Sequence, residues 1–140
     1  MPVRHAEAVW EGPFREGKGT MQFGGFSGPY NAGSRFEDAQ GSNPEELIGA
    51  ALAGCFSMAF SLSLGRAGFP PEHIHTAAHV HIEKVGEGFT ITRIELNNET
   101  RVPGIDQTQF QEIATATKSG CPVSRALAGT EIILNATLSN

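Results

Sequence analysis

Between Leu47 and Gly65 the chain reads LIGAALAGCFSMAFSLSLG, nineteen residues without a charge, and this apolar run dominates its pattern. The run starts as a helix should: Ser42 or Asn43 as cap, Pro44 in the first turn, and Glu45 with Glu46 at the positive end of the dipole. Gly65 and Gly68, followed by Pro70 and Pro71, end it. Its length would suffice to cross a bilayer. Glu45 and Glu46 on one side, a lone Arg66 on the other and three Ser inside favour a buried helix instead. A helix apolar nearly all round must be covered nearly all round. At 1.5 Å per residue it is about 30 Å long, comparable to the diameter of a small domain, so one chain of this size hardly wraps it. Ala53, Ser57, Ser61 and Gly65 recur every fourth residue as a low ridge open to close approach. A second copy is expected to supply the missing cover, as a two-fold homodimer.

Elsewhere the pattern predicts short strands and two more helices. Ala6 to Trp10 and Thr20 to Phe26 read as strands joined by the turn EGPFREGKG, and Gly28 to Gly41 as a loop. Thr76 to Val85 and Phe89 to Thr100 flank Gly86-Glu87-Gly88, a hairpin signature. Asp106 caps a second helix, with Gln109 three positions on as in a capping box and Phe110, Ile113, Ala114 and Thr117 facing inward. Ser119-Gly120 stops it, Cys121-Pro122 opens a short third helix, and Thr130 to Leu138 is a last strand. This order predicts a single α+β domain over residues 1–140, with antiparallel sheets around one dominant buried helix.

Composition narrows the function. Ten Lys plus Arg against 15 Asp plus Glu leave a net charge of −5, with no basic cluster to neutralise phosphates, so a nucleic-acid partner is not expected. Seventeen Gly and eight Pro occur without period, which excludes collagen. Two Cys do not make a disulfide scaffold, and MPVRHAEAVWEG lacks the apolar core of a signal peptide. A reduced, cytoplasmic protein, not bound to membrane, is the expectation.

The two cysteines carry the candidate chemistry. Cys55 lies mid-helix, where an apolar setting alone raises a thiol's pKa and leaves it inert. Cys121, with Pro122 after it, takes a helix N-cap, where free N–H groups favour a thiolate. They are 66 residues apart, so they act together only if the fold brings them together. For Cys55 to be a nucleophile a cation must offset its burial, and Arg is suited because it stays charged and keeps donors for a second ligand. The candidates are Arg4, Arg15, Arg35, Arg66, Arg93, Arg101 and Arg125, of which Arg35 lies in the loop leading to the helix. Arg66, eleven residues past Cys55, sits about 16 Å up the axis and is excluded as a helical neighbour. His73, His75, His79 and His81 fall on one face of a strand, which reads more simply as a wet face than as a metal site.

The stretch RFEDAQGSNPEELIGAALAGCFSMAFSLSLGRAGF, then VPGID and SGCPVS, resembles the OsmC branch of the OsmC/Ohr family of organic hydroperoxide reductases. The similarity runs from about Trp10 with GKGT to the last strand. It implies an intertwined homodimer, two central helices wrapped by sheets, and a thiol peroxidase without metal or prosthetic cofactor. Its substrate would be a small organic hydroperoxide, and an external dithiol such as dihydrolipoamide or a lipoylated protein would recycle it. By the resemblance Cys55 is the peroxidatic cysteine, Cys121 the resolving one, Arg35 the active-site arginine and Glu45 its carboxylate partner, with Arg15 the fallback from the Ohr branch. Leu52-Ala53-Gly54 departs from the His-Ala-Ala common before that cysteine, which bears on substrate preference. Phe56, Met58 and Phe60 are candidates for seating an alkyl group, and equally for ordinary packing. Ten residues of straight helix put Glu45 about 15 Å from Cys55, so Glu45 is expected to serve the facing subunit unless the helix breaks near Gly49. A redox sensor without efficient turnover remains the alternative reading.

Overall fold

The computed structural model describes residues 2–139, which divide into two compact units, Met1–Leu47 and Ile48–Asn140. In the first, β1 (Ala6–Glu11), β2 (Lys18–Phe23) and β3 (Phe26–Tyr30) form an antiparallel sheet in that order, followed by α1 (Ala32–Phe36). The sequence predicted a single strand from Thr20 to Phe26 and then a loop. Instead Gly24 turns at φ +55° and Phe23 pairs with Phe26, so Gly24-Gly25 closes a hairpin within the apolar run. Asn31 then caps α1 with a reciprocal box, its side chain accepting from the Ser34 N–H while the Ser34 hydroxyl accepts from the Asn31 N–H. Gly19 pairs with both Trp10 and Tyr30, and a Cβ there would fall 2.6–2.8 Å from their rings. The bare backbone lets the two aromatics meet over it at 5.5 Å.

The central helix α2 (Pro44–Arg66) is unbroken, Gly49 included. Its cap is Asn43, whose side-chain oxygen accepts from the Glu46 N–H at 2.7 Å; Ser42 instead donates to the Pro29 carbonyl. It ends in a Schellman motif: Phe69 N–H bonds to the Leu64 carbonyl and Gly68 N–H to that of Gly65, with Gly68 at φ +93°.

In the second unit β4 (His73–Val85) and β5 (Gly88–Arg101) form the expected hairpin, turning at Gly86 and shifting register at His81/Ile82. Next come α3 (Gln107–Gly120), capped by Asp106 accepting from the Gln109 N–H, α4 (Pro122–Ala126) and β6 (Glu131–Leu138). The last strand corrects one expectation: β6 runs parallel to β5, so this sheet is mixed. The reason lies in the connection, since α3 and α4 form a crossover that returns the chain in its original direction, where a tight turn would reverse it.

Leu52, Phe56, Phe60 and Leu64, one per turn of α2, are fully buried with Ile94, Leu96, Val102, Phe110 and Ala114. Phe60 stacks between Phe56 at 5.2 Å and Phe110 at 5.4 Å. A polar chain crosses this core: the Ser57 hydroxyl meets that of Thr76 at 2.8 Å, Asn98 donates to Thr76, and Thr100 donates to Asn98. Ser57 therefore faces its own sheet, and of the expected ridge Ala53 and Ser57 are half-buried while Ser61 and Gly65 are exposed. The bare face of α2 runs along Ala51, Gly54, Met58 and Leu62, beside Ser61 and Gly65, with Met58 79% exposed. By length and composition α2 could cross a membrane. In this fold one of its faces instead belongs to the core, with Leu52, Phe56, Phe60 and Leu64 packed among the sheet residues.

Candidate functional site

Two constellations of the expected residues form, one in each unit. In the first, α1 presents Arg35 to Glu45 in the opening turn of α2. Arg35 Nε donates to Glu45 Oε1 at 2.9 Å and to Oε2 at 3.3 Å, and Nη2 donates to Oε1 at 2.7 Å. The carboxylate is buried and the guanidinium is part-exposed, 5.0 Å over the Phe36 ring. A second layer fixes the pair. The Ser34 hydroxyl donates to the Ser42 carbonyl, and Asn43 donates to the Ser34 carbonyl, tying α1 to the start of α2. Such a fork holds the guanidinium plane and leaves Nη1 free of this carboxylate. Arg15, the fallback, is exposed on the β1–β2 turn.

In the second unit the fold brings Cys55 and Cys121 into hydrogen-bond contact, both as free thiols. Cys55 lies one residue before the buried Phe56 on α2, and Cys121 is 1% exposed between α3 and α4. As expected, Cys121 is the N-cap of α4, its sulfur accepting from the Ser124 N–H at 3.4 Å. The two sulfurs are pushed in opposite directions. Burial raises the Cys55 thiol above its ordinary value; the Val123 N–H opposes this in part, while the hydrogen bond and charge of Cys121 add to it. Burial also pushes Cys121 up, but hydrogen bonds from the Ser124 hydroxyl and N–H, then from Cys55 and the Val123 N–H, outweigh it and bring the thiol below its ordinary value. Of the two thiols, Cys121 is thus the more readily ionised within one chain.

The other expectations divide. Phe56 and Phe60 are core residues, and Met58 lies on the bare stripe of α2. His73, His75 and His79 are exposed along β4, and His81 sits 3.2 Å from Glu95; no group of three metal-ligating side chains forms among the described residues. Sequence reasoning gave Ser124 no role, since a Cys cap followed three residues later by Ser is not a capping-box signature.

The OsmC family profile, described as OsmC-like protein, matches residues 37–135. The chain is 51% identical over 129 residues to Peroxiredoxin OsmC of Escherichia coli K12, covering 89% of each. This chain belongs to the OsmC family. It is also 31% identical over 87 residues to an organic hydroperoxide resistance protein-like protein of Mycoplasma pneumoniae, covering 61% of this chain and 60% of that one. Among solved structures the fold matches the OsmC-like protein from Mycoplasma pneumoniae with a TM-score of 0.81, 19% identity and 99% coverage of both chains. It matches OhrB of Bacillus subtilis with a TM-score of 0.67 and 22% identity, covering 96% of this chain and 98% of that one. These neighbours share the α+β architecture of two three-stranded sheets and a long helix.

Proposed function

We propose that this protein is a thiol peroxidase that reduces organic hydroperoxides, and hydrogen peroxide more weakly, through Cys55 and Cys121. One observation carries the reading: two cysteines 66 residues apart, the only ones in the chain, become neighbours that shift each other's ionisation in a relative of a peroxiredoxin. Cys55, as thiolate, attacks the distal peroxide oxygen; the O–O bond breaks, the alcohol leaves and Cys55 becomes a sulfenic acid. Cys121 then attacks the Cys55 sulfur and expels hydroxide, which leaves as water, to form a disulfide. An external dithiol such as dihydrolipoamide reduces it, and no prosthetic cofactor takes part.

Arg35 and Glu45 complete the scheme. Because burial raises Cys55, the attack needs a cation at the sulfur. The Arg35 guanidinium, oriented by Glu45, supplies that charge and hydrogen-bonds the peroxide. What supports a role for the facing subunit is the continuity of α2, whose rise leaves Glu45 about 15 Å from Cys55 of its own chain. The bare stripe at Ala51, Gly54, Met58 and Leu62 favours a homodimer with this helix at its centre. A small-molecule hydroperoxide and a dithiol are then its partners in the cytoplasm.

Steady-state turnover with tert-butyl or cumene hydroperoxide against hydrogen peroxide tests the reading. Wild type is expected to prefer the organic substrates and Cys55→Ser to be inactive. Cys121→Ser is expected to consume about one equivalent and stall for lack of the resolving thiol. Sustained turnover by either variant overturns the scheme, and reaction without recycling in wild type indicates a sensor.

A further inference from the structure

Ser124 is unusual in what it offers the second sulfur. Its hydroxyl stands 3.2 Å from Cys121 Sγ and 2.9 Å from the Cys121 carbonyl oxygen, and its backbone N–H reaches the same sulfur at 3.4 Å. Both residues are buried, so water does not substitute for these contacts. The hydroxyl has two arrangements. With Cys121 protonated, the thiol donates to Ser124 Oγ and the hydroxyl proton goes to the carbonyl. With Cys121 ionised, the hydroxyl turns its proton to the sulfur and joins the N–H there, so that one short residue places two donors on one anion.

We propose that Ser124 is a positioning residue that keeps the Cys121 sulfur in its nucleophilic form and aimed at Cys55, so that the disulfide closes as soon as the sulfenic acid appears. The inference rests on the peroxidase reading for its purpose, but its physical content, a hydroxyl holding a thiolate, stands apart from it. In the step concerned the Cys121 thiolate forms the S–S bond, the Cys55 S–O bond breaks, and hydroxide leaves and is protonated to water. The groups around this turn single out Ser124. Cys55 faces Cys121 from α2, and its own thiol is raised above its ordinary value by burial. Lys118 of α3 donates to the Ile132 carbonyl at 3.2 Å, and Arg125 of α4 and Glu131 of β6 are exposed. Glu112 of α3 is likewise exposed. Against burial, which raises the Cys121 thiol, it is hydrogen bonds that lower it, those of Ser124 foremost.

The test begins with Cys55→Ser, in which Cys121 is the one remaining thiol and its ionisation is read by ultraviolet thiolate absorbance against pH. Adding Ser124→Ala is expected to move the midpoint up by about one pH unit, the size of one hydrogen bond to a charged group. Ser124→Thr, which keeps the hydroxyl, is expected to restore it. Ser124→Gly repeats the deletion should the alanine variant fold poorly. In the chain with both cysteines, mass spectrometry after one equivalent of tert-butyl hydroperoxide follows the sulfenic acid. Ser124→Ala is expected to prolong its life about tenfold at neutral pH, with the deficit vanishing at alkaline pH, where the thiolate forms unaided. A purely structural defect would persist at every pH. An unchanged titration midpoint in the alanine and glycine variants overturns the inference. A wild type that forms no sulfenic acid or disulfide overturns the peroxidase reading and leaves the titration result intact.

Discussion

An anion on a buried sulfur is held either by donors or by a cation, and the two cysteines divide on that choice. Cys121 has its donors built in by Ser124 and Val123, whereas burial leaves Cys55 raised, with Cys121 raising it further. The sign of one consequence follows directly. Removing Cys121 removes a hydrogen bond and a charge that both favour protonated Cys55, so Cys121→Ala is expected to shift the pH rise of the single-turnover peroxide reaction downward. Stopped-flow peroxide consumption against pH checks this, and an unchanged or upward shift would show that the sulfurs do not sense each other. Glu45 is 5% exposed and forks onto Arg35, so Glu45→Gln is expected to lower kcat/KM for the alkyl hydroperoxide by ten- to a hundredfold, about 1.5–3 kcal/mol for a charged hydrogen bond. A change in KM alone would place Glu45 in substrate binding only. Spacing alone excluded one of the seven arginines, Arg66, and it was the family resemblance that singled out Arg35 with Glu45 and Cys55 with Cys121.

The apolar run that announces α2 is also what concealed its orientation. Caps are local chemistry, and Asn43, Pro44 and Gly68 act at α2 as their residue types dictate. A helix apolar on every side, by contrast, has no face marked for the core, and the four-residue spacing of small side chains found the bare face only at Ser61 and Gly65, not at Ala53 and Ser57. What decides it is the sheet: Gly49 lies against β4, where an added Cβ would come 2.9 Å from Val80 Cγ2 and 3.3 Å from the Ala78 Cβ. Gly49→Val is therefore expected to push α2 off the sheet and destabilise the fold by about 1–3 kcal/mol, seen as a lowered Tm in calorimetry. Phe60→Ala, emptying the site between Phe56 and Phe110, is expected to remove about 3–5 kcal/mol by denaturant titration. A loss under 1 kcal/mol in both would mean that this face is not the core.

A single chain leaves apolar surface uncovered in each unit: Val9, Phe23 and Phe26 in the first, and Met58 and Leu62 in the second. Surface of that kind marks an interface. Under the homodimer reading Met58→Arg, which places a charge on the bare stripe, is expected to give monomers in sedimentation velocity and to lose peroxidase activity with the dimer. A monomeric wild type that is fully active would remove the second subunit from the scheme. Local chemistry along the chain was enough for the starts and stops of the long helix and of α3, for the start of α4 and for the β4–β5 hairpin, because caps and turns act within a few residues. Two things were left to tertiary packing, the direction of β6 and the face of α2 that meets the sheet, while the meetings of Arg35 with Glu45 and of Cys55 with Cys121 were expected from the family resemblance and not from local chemistry. Each depends on contacts between residues distant in sequence, and such contacts form only where the burial of apolar side chains has already set the distances.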